Sequence, residues 1–135
     1  MANAIYPKYK QALLEGAANI SLSTGNVKAV LVDLADYTYS AAHDFLDDIP
    51  VAGRVATSAN LTTKTVTDGL FDADNAVFSA VTGDISEAVV IYIDTGSAAT
   101  SRLVAFFDTG VTGLPVTPNG GDINLNFNVS GIFQL

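Results

Sequence analysis

The sequence predicts a mainly β domain, a β-sandwich or flattened barrel of jelly-roll type, with a short N-terminal helix and one short helix after the first strand. Three observations carry that expectation. Near the end of the chain Ile123, Leu125, Phe127 and Val129 alternate with Asn124, Asn126 and Asn128, the period-two pattern of a half-buried strand. Two apolar runs, EAVVIYID at 87–94 and RLVAFFD at 102–108, flank seven residues that can close a hairpin. Seven or eight strand-like segments at 8–15-residue spacing, with turn signals between them, suit an all-β architecture.

Each element has its own signal. Pro7 fits a first helical turn, Tyr9, Ala12 and Leu13 form a narrow apolar stripe, and Gly16 suits the C-terminal cap. Residues 17–26 are turn-rich, with Asn19, Ser21, Ser23, Thr24, Gly25 and Asn26. Val27, Ala29, Val30, Leu31 and Val32 read as an interior strand apolar on both faces, ending at Asp33. Asp36-Tyr37-Thr38-Tyr39-Ser40 suits an edge or turn. Ala41, Ala42, Phe45, Leu46 and Ile49 then recur at helical spacing before Pro50 stops the helix. Short strands are expected at 54–57, 64–67 and 76–80, with turns at Asp68-Gly69 and Thr82-Gly83-Asp84. Residues 114–121 form a loop, and 132–135 add a last short strand. The chain divides into an N-terminal helix and arm, 1–25, and a β domain, 26–135.

At 135 residues the chain has single-domain size, and such a domain buries roughly two-thirds of its unfolded surface. No segment approaches the ~20 apolar residues of a membrane helix. Nor does a charged-then-apolar leader open the chain, so it is expected to stay in the compartment where it is made, away from membranes. The absence of cysteine excludes disulfides, thiol catalysis and cysteine zinc sites. Net charge is −8, unevenly spread. The first 28 residues hold Lys8, Lys10 and Lys28 against Glu15, whereas residues 29–135 hold thirteen acids against Arg54, Lys64 and Arg102, a balance of −10. A body so acidic lacks the basic footprint that nucleic-acid binding needs. It also keeps the protein dispersed, and leaves the N-terminal arm as the segment suited to touching a partner.

Candidate chemistry is sparse. Asp-Thr-Gly occurs at Asp94–Gly96 and Asp108–Gly110, each after an apolar strand, as in aspartic proteases whose two aspartates share a proton. The two copies are too close in sequence to come from two lobes, and the end SGIFQL lacks the apolar-apolar-Gly support of a dimeric protease. A strand exit into a turn accounts for both. His43, the single histidine, has Asp44 beside it, but a triad is a matter of geometry that adjacency does not supply. Asp68, Asp72, Asp74 and Asn75 bring oxygen ligands of the type calcium takes, without the glycine and distant glutamate of an EF-hand loop. Turn capping explains that cluster as well. Asp44, Asp47 and Asp48 read as a solvated face near a helix end. Gly120-Gly121 sits beside a turn, away from any helix start, so no phosphate-cradling loop is present. No cofactor and no catalytic residue are expected.

The segments IYPKYKQALLEG, VKAVLVDLADYTYSAAHDFLDDI, SEAVVIYIDTGSAATSRLVAFFDTG and GLPVTPNGGDINLNFN, taken in that order, resemble small virion proteins of tailed bacteriophages. The likeness runs from Ile5 to Leu135 and is closest to capsid decoration (cement) proteins. It implies a β-rich structural protein, not an enzyme, present in many copies on the capsid surface of the virion and made in the host cytoplasm. Its partners would be the major capsid protein and further copies of itself, a trimer first. A tail, neck or head-fibre component, including an adsorption module that binds host glycans, is the alternative. For the clamp, the contact residues expected are Ile5, Tyr6, Tyr9, Leu13 and Leu14 of the arm, with Tyr37, Tyr39 and Phe45 as interface aromatics. The same residues would serve equally in packing the helix and aromatics against their own domain.

Overall fold

The computed structural model describes residues 3–128 and 130–135. It is mainly β, with several antiparallel sheets. Among the described residues the strands are β1 (Ala4–Ile5), β2 (Asn26–Val32), β3 (Arg54–Thr57), β4 (Thr65–Thr67), β5 (Leu70–Asp72), β6 (Ala76–Phe78), β7 (Ala88–Asp94), β8 (Arg102–Phe107), β9 (Ile123–Leu125) and β10 (Phe133–Gln134), and the α-helix is α1 (Pro7–Glu15). Strand order is β1-β8-β7-β2-β3 in the main sheet, β10-β5-β4 in a three-stranded sheet and β6-β9 in a pair.

β2, β7 and β8 occupy the centre of the main sheet and are almost wholly buried. Their apolar runs are continuous because both faces are covered. On β8 the ring of Phe106 packs against Tyr37 and Tyr39, with centroids 6.5 and 5.4 Å away. Phe107, pointing the other way as neighbours in a strand do, lies with Leu70 and Phe133 of the small sheet. β7 and β8 form the expected hairpin, Val89 opposite Phe107 and Ile93 opposite Arg102.

The first helix follows its sequence signals. Gly16 takes the left-handed conformation, its N–H bonds the Leu13 carbonyl, and the Ala17 N–H reaches back to Ala12, a Schellman cap. Residues 3–25 fold onto the sheet: β1 pairs antiparallel with β8, and Tyr6, Tyr9 and Ala12 are buried. The helix expected over Ala41–Ile49 does not form; a single 3-10 turn, Leu46–Asp48, stands in its place. Its backbone has other partners. Phe45 bridges Arg102, the Leu46 N–H donates to Ser101, and the Asp48 carboxylate accepts the N–H groups of Asp44 and Phe45. Such side-chain bonds compete with a helical ladder.

β4 and the turn at Asp68-Gly69 fall where the sequence places them, and the strand that the sequence reading leaves out is β5, which pairs with β4 as a hairpin. Asp68 and Gly69, with φ of 52° and 80°, form a two-residue turn, and Thr67 faces Leu70. Two positive φ values in succession define the type I′ turn that Asp-Gly favours. Of the alternating C-terminal strand, Ile123, Leu125 and Phe127 are buried and Asn124 and Asn126 exposed; Val129 lies outside the described residues, as does Met1 of the arm.

Candidate functional site: an apolar groove beside the first helix

Helix α1 does not lie flush on the domain. Tyr9 and Leu13 on the helix, Ile20 and Leu22 of the following loop, and Val66, Phe71, Phe133 and Leu135 of the three-stranded sheet line an apolar groove of about 310 Å³. The helix is fixed by the phenol of Tyr9, which donates to the Ile20 carbonyl at 2.8 Å. Burial pushes the Tyr9 hydroxyl up to about 12, with the charge of Arg102 pulling it partly back. At the rim, Leu14 is 91% exposed and Val66 and Leu135 about half exposed. An open apolar recess with such a rim is the kind of surface that ligands or partner proteins cover.

The sequence-nominated contact residues separate into two groups. Tyr9 and Leu13 belong to the groove and Leu14 projects next to it. Tyr6 and Tyr37 are 0% and 2% exposed, core residues whose surface is used inside this chain. Their hydroxyls lie 2.9 Å apart, and Tyr37 also bonds His43 Nδ1 at 2.9 Å. Burial holds Tyr37 up at about 12 and pushes Tyr6 further. Half-buried Tyr39 packs on Tyr6 and Phe106, and Phe45 carries the Arg102 guanidinium over its ring at 5.0 Å. Ile5 is half-buried in β1 opposite Ala105. The groove residues beyond residue 60 were missed because distant strands deliver them.

The catalytic candidates do not assemble. Asp94 ends β7 and Asp108 follows β8, at opposite ends of one antiparallel hairpin, roughly 20 Å apart at the rise of a strand. They cannot share a proton. Asp94 is instead a turn and ion-pair residue, accepting from the Gly96 N–H at 3.1 Å and meeting Lys28 Nζ at 3.0 Å. Burial works to raise its pKa, but the bonds from Lys28, Gly96 and Ser101 together hold it below the usual carboxylate range. His43 serves the tyrosine chain.

Of the Asp68, Asp72, Asp74 and Asn75 cluster, Asp72, Asp74 and Asn75 line one pocket with Asn126 and Asn128, while Asp68 sits in the β4–β5 turn. Asp72 accepts the Ala73 N–H and Asp74 accepts the hydroxyls of Thr62 and Thr63. Among the described residues, the carboxylates that converge are those of Asp33, Asp36 and Asp84, with oxygens within 4.8 Å of one another. Asp33 follows β2, and its carboxylate already accepts the Ala35 N–H at 2.9 Å. These are hard oxygen donors of the sort calcium or magnesium prefers, but proximity alone does not make a site. A polar cleft of about 540 Å³ runs along Asn19–Asn26 and Ile93–Thr95.

No helix of the described residues is long and apolar enough to cross a membrane. No family model matches the chain, and no curated protein matches it closely enough to count as a relative.

Proposed function

We propose that this chain is a structural protein of a tailed-bacteriophage virion, a capsid decoration protein that clamps capsomers from outside and performs no catalysis. The observation that carries the reading is the apolar groove beside α1 with fully projecting Leu14 at its rim, in a chain whose paired Asp-Thr-Gly motifs reduce to strand ends, a turn and an ion pair. Anything that binds only the assembled lattice stabilises it by mass action, and many copies multiply the effect. The resemblance of the segments between Ile5 and Leu135 to small virion proteins supports the same context. We further read the main sheet, with small sheets against one face, as a β-sandwich of jelly-roll type that presents the groove to the capsid and associates as a trimer.

Particles made with and without the chain test this reading. The chain should raise the temperature at which heads release their DNA, and Leu14→Asp should abolish the gain without unfolding the protein. Heads equally robust to heat and osmotic shock with or without it would overturn the proposal. A tail or head-fibre role with glycan adsorption is the second reading, favoured by one feature, the polar cleft lined by Asn19, Ser21, Thr24, Asn26 and Asp94.

A further inference from the structure

The second Asp-Thr-Gly motif, Asp108–Gly110, has a structural partner at the other end of the chain. The exposed side chain of Asn3 closes on the turn that ends β8. Its Oδ1 accepts the N–H groups of Asp108 at 2.8 Å and Thr109 at 3.1 Å, and its Nδ2 donates to the Thr109 carbonyl at 2.9 Å. From this clasp the backbone runs along β8, Ala4 opposite Phe106 and Ile5 opposite Ala105, until the Tyr6 N–H donates to the Val104 carbonyl at 2.9 Å. Residues 3–6 therefore cover β8 and its exit from Val104 to Thr109. Their inner end is anchored by the buried Tyr6 side chain, packed on Tyr39 and bonded to Tyr37. Their outer end is held by Asn3 at the surface, where water competes for the same bonds.

What they cover is a hazard. β7 pairs along one side of β8, so without residues 3–6 the other side would be an edge of the main sheet. Leu103-Val104-Ala105-Phe106-Phe107 contains no charge and no proline, and Leu103 to Phe106 are fully buried. An uncharged run of strongly strand-forming residues on a bare edge is a template for pairing with another chain.

We propose that residues 3–6 are a strap that guards β8, buckled by Asn3 on the Asp108-Thr109 turn, and that opening the strap lets the bared edge pair with the same edge of a second copy. Antiparallel pairing of one patch with itself is a two-fold contact, and it keeps the two Arg102 side chains at opposite ends. The strap opens without unfolding the domain, because β2, β3, β7 and β8 pair with one another independently of β1. This inference goes beyond the virion reading and does not rest on it.

The test compares two variants of the full chain. Asn3→Ala removes the buckle at an exposed position, and Gly69→Ala lowers overall stability far from the strap. By hydrogen exchange, the Tyr6 amide and the β8 amides that face β1 should exchange about tenfold faster in Asn3→Ala, the loss of three exposed hydrogen bonds. In Gly69→Ala they should exchange as in the wild type, since strap opening does not pass through the unfolded state. In sedimentation velocity, Asn3→Ala should form species larger than the wild type as concentration rises, and Gly69→Ala should not. Strap amides that Asn3→Ala leaves unmoved, or that Gly69→Ala speeds equally, would overturn the proposal. So would an Asn3→Ala chain no more associated than the wild type.

Discussion

The hydroxyl oxygens of Tyr6 and Tyr37 lie 2.9 Å apart in the core, tying the N-terminal arm to the segment that follows β2. Tyr37 is the middle of a chain that continues to His43. Tyr37→Phe removes both bonds and strands the buried Tyr6 hydroxyl. It should cost about 1–3 kcal/mol in denaturant unfolding, the penalty of an unpaired buried polar group. Tyr39→Phe keeps its ring against Tyr6 and Phe106 and should change stability by less than about 0.5 kcal/mol. Equal costs for the two would refute the role given to the hydroxyl chain.

The same tyrosines set an alkaline limit. Tyr9 and Tyr37 are held up at about 12 in the folded protein, mainly by burial, against 10 in the unfolded chain. The stability from keeping them neutral is therefore complete below pH 10 and is lost as pH rises from 10 through 12. Each should contribute on the order of 2 kcal/mol to that loss. Unfolding midpoints measured from pH 8 to 12 should be flat and then fall; a flat profile to pH 12 would contradict the burial of these groups.

Glycine substitutions should rank by geometry. Gly131 has φ of 124°, and a Cβ there would come within 2.6 Å of Leu70 Cδ1, so strain and overlap combine. Gly69, with φ of 80°, would place its Cβ 3.0 Å from the flexible end of Gln134. Gly69→Ala should cost about 1 kcal/mol, and Gly131→Ala clearly more, in thermal melts. The reverse order would contradict the packing of the C-terminal strand.

Asp94→Asn loses the Lys28 ion pair, a partly exposed contact worth at most about 1 kcal/mol. Asp94→Asn and Asp108→Asn should leave particle stabilisation unchanged. Proteolysis by the wild-type chain that either change abolishes would revive an aspartic-protease mechanism.

How much of this could be read from the sequence depends on how local each signal is. β3 falls on the expected residues, and β2, β7 and β8 fall within one residue or two, because long apolar runs bounded by Asp or Gly are local patterns. The Gly16 cap is equally local. β1 is two residues long and carries no period, so its pairing with β8 is decided by tertiary contact. β5 is legible in principle, since the expected turn at Asp68-Gly69 between TVT and LFD is a strong hairpin signal, but three residues broken by Asp72 and Asp74 carry too short a pattern to stand out as a strand. Tyr37 reads as a turn residue because its neighbours are polar, yet the turn buries it. At the groove, Tyr9 and Leu13 follow from the helical stripe, whereas Phe133 and Leu135 arrive through the pairing of β10 with β5, more than sixty residues apart. No local pattern encodes that pairing.

The measurement closest to the central claim is a cryo-electron microscopy map of intact particles that contain this chain. The account predicts density at fixed copy number on the outer head lattice, with α1 and its groove buried in a contact. Density confined to the tail, or a head lattice from which the chain is absent, would contradict it.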